Sequence, residues 1–330
     1  MQSTALILML FAAIAWGTAA LWFDGPSSPW LAAMVSALFG LGCLALLVLV
    51  RPLLKGAAVA TVPIAAVVVW WLSIAPSNDR DWLPEVARLP SVEFNGSLVT
   101  IQNLRNFEYK SSDTDFVERW DTRTYDLDKV VGLDLYLSYW GPTLYAHTIA
   151  SWQFSEGPPL AISIETRKEK GEEYSALLGF FRHYELYYVV ADERDVIAVR
   201  TNYRGEQVYL YRLRMPRQEA RALLVSYLEE INRLVHHPKW YNALSTNCTT
   251  VIRHHVRAVA GDWPFDWRVL ANGHLDELGY ERGSVNTRVP FAELRRLSNI
   301  TEKAKAADQD PDFSARIREG LPERPAQSRR

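Results

Sequence analysis

The chain has 330 residues, a net charge of −2 and 22% charged side chains, a balance that makes no electrostatic case for a nucleic-acid partner. Its two cysteines exclude a disulfide framework, while 12% aromatic residues suit a membrane protein or a domain with apolar clefts. Three apolar segments come first: 5–23 (ALILMLFAAIAWGTAALWF), 30–50 (WLAAMVSALFGLGCLALLVLV) and 56–74 (GAAVATVPIAAVVVWWLSI). Each is uncharged and close to the roughly 20 residues that a helix needs to cross a bilayer core. A cleaved signal peptide is the rival for the first, which lacks a basic n-region. Cys43 falls in the second and is expected to face lipid.

The loop 24–29 has no Lys or Arg, whereas Arg51 and Lys55 lie in the loop after the second segment. Positive charge stays on the cytoplasmic side, so the third span exits on the far side. Everything after about residue 77 is then periplasmic, on a multi-pass protein of a bacterial inner membrane with the lipid bilayer as its first partner.

This divides the chain into a membrane region (1–76), a proline-marked linker (77–96), a soluble domain (97–300) and a polar tail (301–330) expected to be mobile. Strands are expected at 97–109, 133–140, 145–154, 160–167, 184–190, 196–202 and 207–213, from alternation and from Gly and Pro punctuation. The period then changes. From Pro216 onward, Leu223, Leu224, Tyr227, Leu228, Ile231, Leu234 and Val235 fall on one helical face. A second helix starts near Cys248, behind Thr246 or Asn247 as a cap. The fold class is α+β: three transmembrane helices, then an antiparallel sheet packed on helices.

Cys248 is the chemical question. In the first turn of a helix its thiolate is favoured by the helix dipole, and the thiolate is the nucleophile. It is equally readable as a small buried apolar residue at a helix start. A nucleophile needs a base. His254 and His255 lie too far along the same helix, His236 and His237 end the preceding one, and His183 and His274 sit in charged or loop segments. His147 begins the strand HTIASWQF, and the next strand carries Glu165. If the two pair as a hairpin, Glu165 reaches the ring and fixes its tautomer; otherwise it is a surface partner of Arg167 or Lys168. Spacings for zinc, Walker loops and dinucleotide fingerprints are absent, so neither a metal nor a cofactor is expected.

Three stretches, AHTIASWQF, ISIETRKEKGEEYSALLGFFRHYELYYVVADERDVIAVRTN and YNALSTNCTTVIRHH, resemble the periplasmic domain of the Lnb-type family, over about 107–257. That family includes lipoprotein N-acyltransferases of Gram-negative bacteria. The order, histidine before cysteine, also resembles circularly permuted NlpC-like and papain-like hydrolases. The resemblance implies a permuted papain-like domain with Cys248 as nucleophile, His147 as base and Glu165 as orienting group. It makes Asn247 and the Cys248 N–H oxyanion candidates, and it leaves Arg167, Tyr174 and Arg200 either to bind substrate or to brace the sheet. The activity expected is acyl transfer or hydrolysis through an acyl-thioester on Cys248, with a phospholipid or lipoprotein substrate. The alternatives are an amidase or peptidase acting on cell-wall peptides, or a non-catalytic membrane-anchored scaffold. Trp120, Trp140, Trp152 and Trp240 are equally rim or core candidates.

Overall fold

The computed structural model describes residues 2–261, 264 and 266–326. Two compact units are formed. One holds the chain up to Ser77 together with Glu173–Glu185 and Trp240–Ala243; the other holds the rest.

In the first unit α1 (Gln2–Phe23), α2 (Pro29–Leu49) and α3 (Leu53–Ser73) follow the three apolar segments, and all three are long and apolar enough to cross a membrane. They close where side chains are small. A Cβ on Gly56 would stand 2.7 Å from the Leu46 carbonyl oxygen, so only glycine lets α3 approach α2 there. Cys43 does not face lipid: it is buried with Leu10, Ile14, Leu47 and Ala60 between the helices. At the end of the bundle Asp24 accepts hydrogen bonds from Trp71 Nε1 (2.6 Å) and Arg182 N (3.1 Å). The Arg182 guanidinium lies over the Trp71 ring, Phe23 packs on Phe181, and Trp240 Nε1 donates to the Ile74 carbonyl. Two segments from far along the chain thus belong to the helical unit.

The second unit is built on a sheet. Its strands are β1 (Ser91–Asn95), β2 (Leu98–Arg105), β5 (Trp120–Asp126), β6 (Val130–Tyr139), β7 (His147–Phe154), β8 (Leu160–Arg167), β9 (Glu185–Asp192) and β10 (Gln207–Arg212), with β3 (Glu108–Ser112) and β4 (Asp115–Val117) as a separate ribbon. The order is β1-β2-β9-β8-β7-β6-β10, with β5 also on β2. The hairpins β6–β7 and β7–β8 are antiparallel, in registers Ser138↔His147 and Ile149↔Ser163. One pair is parallel: β2 meets β9 at Arg105↔Ala191. The sheet is therefore mixed, and the α+β class holds.

Helices cover the sheet. On α5 (Arg217–His236) the expected residues Leu223, Leu224, Tyr227, Leu228, Ile231 and Leu234 are buried, while Val235 is half-buried. Trp152, on β7, donates from Nε1 to the Ala220 carbonyl of α5 at 2.8 Å. The remaining helices are α4 (Glu193–Ala198), α6 (Cys248–Ala260), α7 (Leu275–Glu281), α8 (Phe291–Ser298), α9 (Thr301–Ala306) and α10 (Phe313–Arg316).

Three expectations change. Residues 196–202 are not a strand: they run from α4 into a π-helical turn, Val199–Tyr203. Asp192 caps α4 by accepting from Arg194 N, and Val196, Ile197, Ala198 and Val199 are all buried, so no alternation separates helix from strand. The linker ends early, because β1 starts at Ser91. The tail packs instead of moving. Phe313 and Ile317 enter the core with Tyr136, Ile149 and Ile197. Arg318 Nη2 bonds Asp134 (2.9 Å) and Glu193 (2.6 Å), and Arg324 Nη2 bonds Asp134 (2.6 Å). Both carboxylates are buried, and burying charge requires such partners. Residues 327–330 of that tail lie outside the described residues.

Candidate active site

Asn247 starts α6. Its Oδ1 accepts from Thr249 N (3.0 Å) and Thr250 N (2.9 Å), while Thr250 Oγ1 accepts from Asn247 N (2.9 Å). This reciprocal cap satisfies three of the N–H groups that a helix start leaves open and makes Cys248 the first helical residue. α6 packs on β7 and β8, and this brings Cys248 to His147.

His147 opens β7 one residue before Thr148, and β8 runs alongside from Ile149↔Ser163. Alternation puts Ser163 and Glu165 on the same face of β8. Ser163 Oγ lies 2.6 Å from His147 Nε2 and donates to Glu165 Oε1 at 2.8 Å; Nε2 itself is 3.5 Å from that oxygen. Proton accounting fixes the tautomer. The serine proton goes to the carboxylate, so Ser163 must accept from His147, and the ring proton resides on Nε2. Nδ1 is left with its lone pair. The His147 ring and the Cys248 thiol act on each other's pKa, the Thr148 N–H favours the thiolate, and Thr249 Oγ1 stands 3.7 Å from the sulfur.

Charge completes the arrangement. Burial and the Arg200 guanidinium act to lower the His147 pKa, but the thiol and Glu165 outweigh them and hold it above the usual imidazole value. Burial alone would raise the Cys248 thiol; the His147 hydrogen bond and charge bring it below its ordinary value. Glu165, despite burial, is held well below the carboxylate range by Arg200 and then by His147. The site is thus electrostatically set for a thiolate–imidazolium pair.

Arg200 sits on the π-helical turn and is 5% exposed. Its Nη2 donates to Glu165 Oε1 (2.9 Å) and its Nη1 to Glu206 Oε2 (3.2 Å). The structure therefore places it behind the carboxylate. Arg167 likewise spends its guanidinium on the chain: on the carbonyls of Val86 and Ala87, on Asn78 Oδ1 and on the Trp82 ring face. Tyr174 lies in the other unit, stacked on Tyr184. Of the tryptophans, Trp152 is core and Trp140 is 57% exposed beside the site; Trp120 packs on Phe107, and Trp240 belongs to the helical unit.

Two residues of the site were not singled out from sequence. Ser163 carries no motif; only its place two residues before Glu165 marks it. Asn272, in the turn Asn272–His274, is buried; its Oδ1 accepts from Ala146 N (2.9 Å), and its Nδ2 donates to Thr249 Oγ1 (2.7 Å) and faces Cys248 Sγ at 3.8 Å. His255 bonds the Tyr188 hydroxyl and Ser226, and burial takes its pKa down to about 4, so it is a neutral packing residue. Among the described residues no cluster of His, Cys, Asp and Glu could hold a metal ion.

Residues 116–273 match the family model of the Lnb N-terminal periplasmic domain, a stretch that takes in His147, Ser163, Glu165, Arg200, Cys248 and Asn272. No curated protein and no solved structure matches the chain. Behind three helices apolar enough to cross a membrane, residues 116–273 are thus similar to the Lnb N-terminal periplasmic domain.

Proposed function

We propose that this is a multi-pass inner-membrane protein whose periplasmic domain transfers or hydrolyses acyl groups through a thioester on Cys248. One observation carries the reading: the set Cys248, His147, Ser163, Glu165, in which Nε2 is held by Ser163, Ser163 by Glu165, and the ring and the thiol shift each other toward the charged pair. In the first step the thiolate attacks an ester carbonyl, and the Cys248 N–H at the start of α6 supports the oxyanion. Collapse expels the alcohol, which takes the Nδ1 proton of the imidazolium. In the second step an amine or water attacks the thioester, His147 takes its proton, and the thiolate leaves. Arg200 keeps Glu165 ionised while the ring is charged.

The three spans supply acyl lipid at high effective concentration. With the resemblance to lipoprotein N-acyltransferases, this favours a phospholipid or lipoprotein acyl donor over a cell-wall peptide. The test is intact mass of purified full-length protein after incubation with bacterial phospholipid. The expected result is a hydroxylamine-sensitive acyl adduct on the wild type and on neither Cys248→Ser nor His147→Ala. Absence of an adduct, with Cys248 still readily alkylated, rejects the lipid donor.

A further inference from the structure

Two exposed apolar segments lead directly into the site. One is the β6–β7 loop, where Trp140, Leu144 and Tyr145 are 57%, 42% and 55% exposed. Its last exposed ring, Tyr145, lies two residues before His147. The other carries Trp267 and Leu270, 56% and 44% exposed, and ends at Asn272, whose amide faces the Cys248 sulfur. The two are tied together. Gly273 N donates to the Leu144 carbonyl (3.0 Å), the Tyr139 hydroxyl to the Gly273 carbonyl (2.8 Å), and Ala146 N to Asn272 Oδ1 (2.9 Å). A Cβ on Gly273 would fall 1.9 Å from the Thr143 carbonyl oxygen, so the approach itself depends on glycine. Arg268, the one charged residue between Trp267 and Leu270, is folded away: its guanidinium bonds Asp266 and Glu281 and its side chain is 12% exposed. What projects is hydrocarbon and aromatic ring.

Five large apolar side chains held open at the edge of one site exceed the scattered exposure of an ordinary surface. Tryptophan and tyrosine among them are the residues that favour the boundary between water and lipid. We propose that this collar takes the acyl chain of a lipid ester and holds its carbonyl end at Cys248. The inference rests on the thiol reading above and adds to it where the chain is bound. A polar peptide would gain nothing from the collar; a hydrocarbon chain gains for each methylene it withdraws from water.

The test uses a thiol reagent, so that chain binding is read separately from acyl transfer. Full-length protein in lipid nanodiscs is treated with N-methylmaleimide or N-dodecylmaleimide, and modification of Cys248 is followed by peptide-resolved mass spectrometry, which keeps Cys43 apart. The wild type should favour the dodecyl reagent over the methyl one by about tenfold more than does Trp140→Ser/Trp267→Ser, the worth of roughly two buried methylenes. Trp140→Leu/Trp267→Leu should keep most of that preference, since it keeps apolar surface. An equal dodecyl-to-methyl ratio in the wild type and the double serine variant overturns the collar, whatever the phospholipid experiment gives. A ratio lost in the serine variant, without any phospholipid adduct on the wild type, supports the collar as an apolar-chain site and rejects the phospholipid donor alone.

Discussion

Ser163 Oγ stands between His147 Nε2, at 2.6 Å, and Glu165 Oε1, at 2.8 Å. The carboxylate therefore orients the imidazole chiefly through a hydroxyl, with only a longer 3.5 Å approach of its own. This makes the serine separable from the charge. Ser163→Ala removes the relay and leaves Glu165 and Arg200 in place. The expected result is a fall of roughly ten- to a hundredfold in the rate of thioester formation, the range for losing one hydrogen bond to a charged group. Single-turnover acylation with KM measured alongside checks it; a fall in substrate affinity alone would assign the serine elsewhere.

The thiol and the ring predict two different pH profiles. Alkylation of Cys248 by iodoacetamide needs only thiolate, so it should reach its plateau below the ordinary thiol range and stay there as pH rises. Acyl transfer also needs the imidazolium as acid, so it should fall again as pH passes the raised His147 value. In His147→Ala, burial acts on the thiol unopposed by the ring, and the alkylation midpoint should move up past the wild-type value. Rates across pH on both proteins decide this.

Arg200 holds two carboxylates, and the consequence is read in stability. Arg200→Met removes the guanidinium from Glu165 and from the buried Glu206, leaving each only a serine hydroxyl and, for Glu165, the His147 ring, and should cost about 3 kcal/mol at neutral pH. Glu165 has a depressed folded pKa, so its contribution in the wild type is present above the unfolded carboxylate value and is lost as pH falls through the folded one. The variant should therefore lose less of its remaining stability on acidification than the wild type loses. Denaturant midpoints at neutral and acid pH measure both effects.

A third arginine gives a control that leaves the site alone. Arg318→Met removes the arginine from the buried Glu193 and one of the two arginines on Asp134, and should destabilise the domain by about 3–5 kcal/mol. The alkylation rate of Cys248, per folded molecule, should not change. A matching loss of thiol reactivity would show that the core beneath β6 sets the site geometry.

What could be read from sequence divides by range. The three spans were legible because length and absence of charge suffice for a membrane helix. Cys248 was legible because Thr246 or Asn247 offered a cap just before it, and the structure selects Asn247. His147 and Glu165 needed one hairpin, β7–β8, which alternation announces. Asn272 could not be found this way: it reaches Ala146 across 126 positions, and a lone Asn-Gly turn has no address. Residues 196–202 misled because a run buried on every side has no period to read. The tail misled because composition records charge and not pairing; Arg318 and Arg324 look solvated until Asp134 is placed beneath them.

That pairing also sets an order of events. Asp134 emerges 184 residues before Arg318 during synthesis and export. Until the arginine follows, β6 carries a carboxylate that can be buried only at heavy cost, and β7, with His147, is paired to β6. A chain arrested before residue 313 should then show a Cys248 no more reactive than an unfolded thiol, as arrested-chain labelling can measure. On the thiol reading proposed above, Cys248 would then gain its reactivity only after Arg318 has been added to the chain.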